Sequence, residues 1–267
     1  MTLKTFALAA ALALTATPAL AHKAWLLPSS TVLSDAGWIT VDAAVSNELF
    51  HFNHNPLRID ALSVTGPDGA ALQPANTAIG KFRSTFDVEL KAPGTYRIAV
   101  LNDGLSANYV LNGETKRWRG TPDAFATEIP AGATDVKATQ ALGRIETFAT
   151  VGAPTTTVFA TTGRGIELVP VTHPNDLFAG EAARFKLMLD GAPASNLKVG
   201  IVPGARRYRD SEGEIEVATG ADGTFEVVWP AAGMYWMEVT HDDAKATFEP
   251  ATQRRLSYVA TVEVLPQ

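Results

Sequence analysis

The chain has 267 residues, no cysteine, 22 basic against 28 acidic side chains and a formal net charge of −6. An acidic balance argues against a nucleic-acid partner, because neutralising phosphates requires a basic face. With no thiol there is no disulfide, no thiolate nucleophile, no thiolate zinc site and no type-one copper site, so any metal must be held by histidine, carboxylate, backbone or an amine.

Residues 1–21 read as a secretory signal peptide. Lys4 supplies the positive start, Phe6 to Leu14 the apolar stretch, and Ala19-Leu20-Ala21 a small-x-small cleavage site. Cleavage after Ala21 removes Lys4, shifts the formal charge to −7 and leaves His22 as the first residue. No later apolar run reaches the roughly 18–20 residues of a membrane span, and no lipidation cysteine follows the signal. The expectation is an exported, soluble protein.

The remainder reads as β-structure. Residues 38–45, 57–65, 82–90 and 95–101 are rich in β-branched and aromatic residues. Turn clusters bound them: Gly66-Pro67-Asp68-Gly69, Lys91-Ala92-Pro93-Gly94 and Asn102-Asp103-Gly104. Residues 112–143 look irregular, a long excursion over a first sandwich, and strand character resumes at 144–151. Gly163-Arg164-Gly165 reads as a hinge. Seven further strands follow, at 166–171, 183–189, 197–202, 214–218, 225–229, 235–240 and 257–265, the number of an Ig-like sandwich. The expected fold is all-β, with two Ig-like β-sandwich domains in tandem, 22–163 and 164–267. The forms Pro93-Gly94-Thr95-Tyr96 and Ala232-Gly233-Met234-Tyr235 are alike, which we read as shared turn grammar rather than a repeat.

Five histidines carry the chemistry. A histidine at a new amino terminus offers an α-amine and an imidazole together, a chelating pair that no internal histidine can provide. His22 is therefore the first candidate ligand. The segment Phe50-His51-Phe52-Asn53-His54-Asn55-Pro56 is the densest in ligands. In a strand its two histidines would face opposite ways, whereas in a loop, which Asn53, Asn55 and Pro56 favour, they can converge. His54 is the second candidate. His173, in His173-Pro174-Asn175-Asp176, reads either as part of a polar turn or as a third ligand folded back against the first domain. His51 and His241 stand behind these three. Asn47, Glu48, Asn53 or Asn55 would orient the imidazoles.

Catalytic motifs are missing. There is no Gly-x-Ser-x-Gly elbow, no His-Glu-x-x-His and no phosphate-binding glycine loop. Arg206-Arg207-Tyr208-Arg209 reads as a solvated hairpin tip, with an anion or partner surface as the alternative. The five tryptophans are assigned to cores and domain contacts.

Ala21-His22-Lys23-Ala24-Trp25-Leu26-Leu27-Pro28-Ser29 resembles the start of a bacterial periplasmic domain-of-unknown-function family, often labelled the periplasmic component of nickel or cobalt uptake. Further likenesses are Ser46-Asn47-Glu48-Leu49-Phe50 through His54, Pro56, Leu57 and Arg58, then residues 146–155, 168–177 and 233–236. The resemblance implies Ig-like architecture, a periplasmic location and a transition-metal role. His22 and His54 fall in its best-matching parts.

Together these readings predict a non-enzymatic periplasmic protein that binds a divalent transition metal (nickel, cobalt or copper) for uptake or buffering. The ligands are His22, His54 and His173, and a membrane metal transporter is the partner. The competing expectation is a non-catalytic envelope interaction module with Ig-like domains and no metal. Oxidative copper chemistry ranks last, for want of a visible substrate surface.

Overall fold

The structure is a computed structural model and describes residues 22–267. The expected signal peptide lies outside the described residues. The first half comprises β1 (Lys23–Pro28), β2 (Val32–Leu33), β3 (Gly37–Ser46), β4 (Asn55–Pro56), β5 (Leu62–Thr65), β6 (Ala71–Leu72), β7 (Ala75–Ile79), β8 (Ser84–Leu90), β9 (Gly94–Leu111), β10 (Glu114–Gly120), the short helix α1 (Pro122–Glu128) and β11 (Thr134–Val151). The second half comprises β12 (Ile166–Pro170), β13 (Ala182–Leu189), β14 (Ala192–Pro193), β15 (Lys198–Pro203), β16 (Ile215–Ala218), β17 (Thr224–Val228), β18 (Gly233–Asp243) and β19 (Gln253–Val264).

The fold is all-β, as expected, and is built from face-packed sheets. One sheet runs β1-β3-β8-β7, with β4 continuing the line of β8 along the same edge of β3. A second runs β12-β13-β14, with β17 on β13. Both lie against one ten-stranded sheet ordered β16-β15-β18-β19-β11-β9-β5-β6, which β2 and β10 complete. Alternation explains the facing. In β8, Ser84, Phe86, Val88 and Leu90 are buried while the residues between them are half-exposed, so one face enters the core. That core holds Leu26, Ile39, Val41, Phe86, Tyr96, Ile98 and Val151. A second core, under β13 and β17, gathers Phe185, Leu187, Phe225, Trp229, Tyr235, Met237 and Tyr258.

The two similar turn segments do the same job. The Tyr96 hydroxyl donates to the Ala92 carbonyl (2.8 Å), and the Tyr235 hydroxyl to the Ala231 carbonyl (2.8 Å). Each is a tyrosine corner, the buried ring tied to backbone four residues upstream, a recurrent device of Ig-type sandwiches.

Two elements differ from expectation. Asn102-Asp103-Gly104 does not end a strand. β9 continues to Leu111 because β11 pairs with it from Gly94 to Val110, and that ladder outweighs a local turn preference. The expected irregular excursion at 112–143 is ordered as β10, α1 and the start of β11. Leu105, Ala107, Ala138 and Ala251, with Trp118, Phe125 and Phe248 packed on them, give it a small core of its own. Around the expected hinge, the buried Glu167 carboxylate accepts from the Gly163 amide (2.9 Å), the Thr162 amide (2.8 Å) and Arg144 (3.1 Å).

The join between the halves is a parallel ladder, Thr139–Thr147 of β11 against Gln253–Thr261 of β19. β1 lies across this seam. Buried Trp25 packs there with Val202, Trp236 and Val259, and the Trp236 indole N–H donates to the Ala24 carbonyl (2.9 Å).

Candidate metal centre at the start of β1

His22 immediately precedes β1 and His54 immediately precedes β4. Both strands pair with the C-terminal end of β3, on opposite edges: Lys23 faces Ser46 and Asn55 faces Val45. The two histidines therefore flank the same strand end. Their rings stack, with centroids 3.9 Å apart and planes 25° from parallel. His22 is exposed and His54 half-buried.

The intervening loop, residues 47–54, is held by its own contacts. The Trp25 indole N–H donates to the Ser46 hydroxyl (2.9 Å), which donates to the Glu48 carbonyl (2.6 Å). The Asn47 amide donates to the Asn53 side-chain oxygen (3.0 Å). Phe50 and Phe52 pack on Trp25 at 5.4 and 5.3 Å, and the Arg83 guanidinium lies 4.5 Å from the Phe52 ring. The loop expected for the residues before Asn55 is present, but it does not bring His51 and His54 together as that reading allowed: His54 stacks on His22, His51 faces an adjoining cleft, and the apolar Phe50 and Phe52 anchor the loop.

Imidazole lone pairs lie in the ring plane. A near-parallel stack thus sets the nitrogens side by side, and a shared ion at about 2.0 Å from each requires the rings to turn apart. Solvent around His22 leaves room for that rotation. With the amine that cleavage after Ala21 would create, the donor set is two imidazoles and one amine. All-nitrogen donors suit copper(II) and nickel(II).

His173 is elsewhere. Its Nδ1 accepts from the Asn175 amide (3.1 Å), so the proton is assigned to Nε2, which lies 3.0 Å from the Thr95 hydroxyl and 3.3 Å from the Thr155 carbonyl. Thr95 bonds to Thr150, whose amide donates to the Thr31 carbonyl (2.8 Å), beyond the far end of β1. The six residues of β1 alone advance about 20 Å. The expectation that His173 meets His22 and His54 is therefore corrected: it is a turn residue whose two ring nitrogens are both engaged. Burial pushes its imidazole below the usual histidine value, against the opposing effects of the Thr155 hydrogen bond and the Asp176 charge.

His51 sits in the same loop as His54 but lines an adjoining cleft with Asn47, Glu48, Arg206, Arg207 and Glu212. His241 stands on β18, five residues past Trp236, with Nε2 3.9 Å from Asp243. Neither joins the stacked pair. Among the described residues no group of three or more His, Cys, Asp or Glu is placed to hold a metal, and no helix is long and apolar enough to cross a membrane.

Sequence reasoning missed Lys23 and Glu212. Their ion pair (2.9 Å) ties the residue after His22 to the loop that follows β15. Only a sequence separation of 189 residues connects them, and no local pattern signals it.

The chain belongs to the family described as domain of unknown function DUF4198, which matches residues 19–243. No curated protein matches it. Among solved structures, it is similar to the D0-D1 domain of intimin at 12% identity and TM-score 0.23, covering 90% of this chain and 97% of that one. A DUF4785 family protein of Legionella pneumophila matches at 7% identity and TM-score 0.23, covering 80% and 50%. The Escherichia coli adhesin FdeC matches at 15% identity and TM-score 0.22, covering 92% and 64%. Likeness at this level bears on neither site nor activity.

Proposed function

We propose that this member of the DUF4198 family binds one divalent transition-metal ion outside the inner membrane, through the amine and imidazole of His22 and the imidazole of His54. Nickel, cobalt and copper are the ions this reading admits. Copper is favoured by the affinity order of nitrogen sites, nickel or cobalt by the resemblance of the His22–Ser29 start to periplasmic uptake proteins. The protein buffers the ion or hands it to a membrane transporter and turns over no substrate.

The observation that supports the reading is the stack of His22 on His54. Two histidines 32 positions apart are delivered by different strands to the same strand end, with centroids 3.9 Å apart. The loop that carries His54 is anchored on Trp25, a fully buried residue of the strand that His22 precedes.

The test is a titration of the secreted protein with copper, nickel, cobalt and zinc, followed by native mass spectrometry. The expected result is one tightly held ion, lost or weakened at least tenfold by His22→Ala and by a single alanine inserted before His22. Insertion spares every side chain and breaks the six-membered ring that the amine and Nδ1 of one histidine close on an ion. Binding unchanged in both variants, or a secreted terminus other than His22, overturns the proposal.

A further inference from the structure

The cleft beside the histidine pair carries charges that nothing else uses. It is an open cavity of about 520 Å³, within the range of small-ligand sites, between the Asn47–His54 loop and the loop that follows β15. Among the described residues, the side chains of Glu48, His51 and Arg207 make no hydrogen bond or ion pair. Arg206 gives one N–H to the Arg209 carbonyl and keeps the rest of its guanidinium. Glu212 is already neutralised by Lys23 at 2.9 Å. The cleft thus holds two arginines against one unpaired carboxylate, with the His51 imidazole and the Asn47 amide beside them.

The walls are built rather than loose. Half-buried Arg209 staples its loop from within, donating through Nη2 to the Pro203 carbonyl (2.8 Å) and the Glu212 carbonyl (3.0 Å), and through Nη1 to the Gly204 carbonyl. Ala205 lies in the left-handed region at φ 57°, a conformation that costs a non-glycine residue free energy, and the next two residues are the cleft arginines. In the other loop, Phe50 also has φ 57°. The loops interlock there: a Cβ on Gly204 would lie 3.1 Å from the Phe50 ring and 3.0 Å from the Met234 carbonyl. Each of these two strained non-glycine residues immediately precedes a residue that lines the cleft, His51 and Arg206, and such strain clusters at ligand clamps.

The geometry points to a binding site for a small amino-carboxylate, of the size of an amino acid or a very short peptide. Its carboxylate sits on Arg206 and Arg207, since guanidinium forks pair with carboxylates in a bidentate fashion, and its ammonium sits on Glu48. This site is separate from the metal centre and stands whether or not a metal binds.

The probe is L-glutamate, with its dimethyl ester and N-acetyl-L-glutamate as controls, titrated calorimetrically into the secreted protein. L-Glutamate is expected to bind, the diester not to bind, and the N-acetyl compound to bind at least fivefold more weakly. Arg207→Gln is expected to weaken L-glutamate at least tenfold with an unchanged circular dichroism spectrum. Glu48→Gln is expected to remove the preference for L-glutamate over its N-acetyl form. His22→Ala, which abolishes the proposed metal site, is expected to leave the L-glutamate affinity unchanged. No heat or saturation with L-glutamate, equal binding of the diester, or full affinity in a folded Arg207→Gln variant overturns the assignment.

Discussion

The imidazoles of His22 and His54 lie face to face, 3.9 Å between centroids, across the end of a strand that belongs to neither. β1 approaches β3 from one edge and β4 from the other, so the stack is a product of sheet order. His54→Ala removes one of two rings while leaving the amine and imidazole of His22 that the proposed site would use. Copper affinity is expected to fall by about tenfold to a hundredfold, the range seen when a metal site loses part of its support. The copper electron paramagnetic resonance spectrum is expected to lose one nitrogen coupling. An unaltered spectrum assigns His54 a packing role only.

His173 predicts the opposite split. Its neutral ring holds the Thr95, Thr155 and Asn175 backbone and side chains together, and burial depresses its proton affinity. A depressed folded-state value means that the unfolded chain takes the proton first. Its contribution to stability is full above the unfolded value of about 6.5 and is lost as pH falls through the folded one. Urea unfolding at pH 7.5 and 5.5 is expected to show this decline, and His173→Gln to flatten it. Metal affinity is expected to be the same in both proteins.

A second pH effect lies lower. Arg254 is buried between Asp243 (2.7 Å) and Asp190 (2.6 Å). The Arg254 hydrogen bond holds the Asp243 carboxyl below its usual range. For Asp190, burial acts upward but is outweighed by Arg254 and the Gly165 amide. Depressed carboxyls add stability above their unfolded value of about 3.9 and lose it as pH falls through the folded values. Arg254→Met leaves two carboxylates facing each other and is expected to cost about 2–3 kcal/mol at pH 7, below the full figure for a buried pair because both aspartates are partly solvated. Chemical denaturation at pH 7 and pH 3 checks this, the difference between the two proteins shrinking at the lower pH.

At the parallel seam, the Tyr258 hydroxyl donates to Glu146 (2.7 Å), both groups being buried. Burial raises the Glu146 carboxyl, while Arg144 and the tyrosine bond act to lower it. Tyr258→Phe removes the bond without changing the packing and is expected to destabilise by about 1–3 kcal/mol, the cost of leaving a buried acceptor without its partner. An equilibrium urea curve measures it; a change below 0.5 kcal/mol would show that the seam tolerates the unpaired group.

The primary sequence by itself determined most of the strands and singled out His22 and His54 as candidate ligands. Alternation in residues 82–90 marks β8, and all seven strands expected beyond Gly165 are present, because side-chain period two is a local property. His22 and His54 are legible as candidates from the small-x-small site and the turn-forming asparagines around Phe52, and their proximity in space is what the structure adds. Tertiary structure decided the rest. β9 runs through Asn102-Asp103-Gly104 because a partner 40 residues away in sequence supplies its ladder. The parallel seam pairs Thr147 with Thr261. The turn at His173 belongs to the Thr95 end of the sandwich, and Arg206 and Arg207 line one cleft with Glu48. Each of these depends on long-range pairing and burial, whose free energy comes from groups far apart in the chain, and no window of neighbouring residues carries that information.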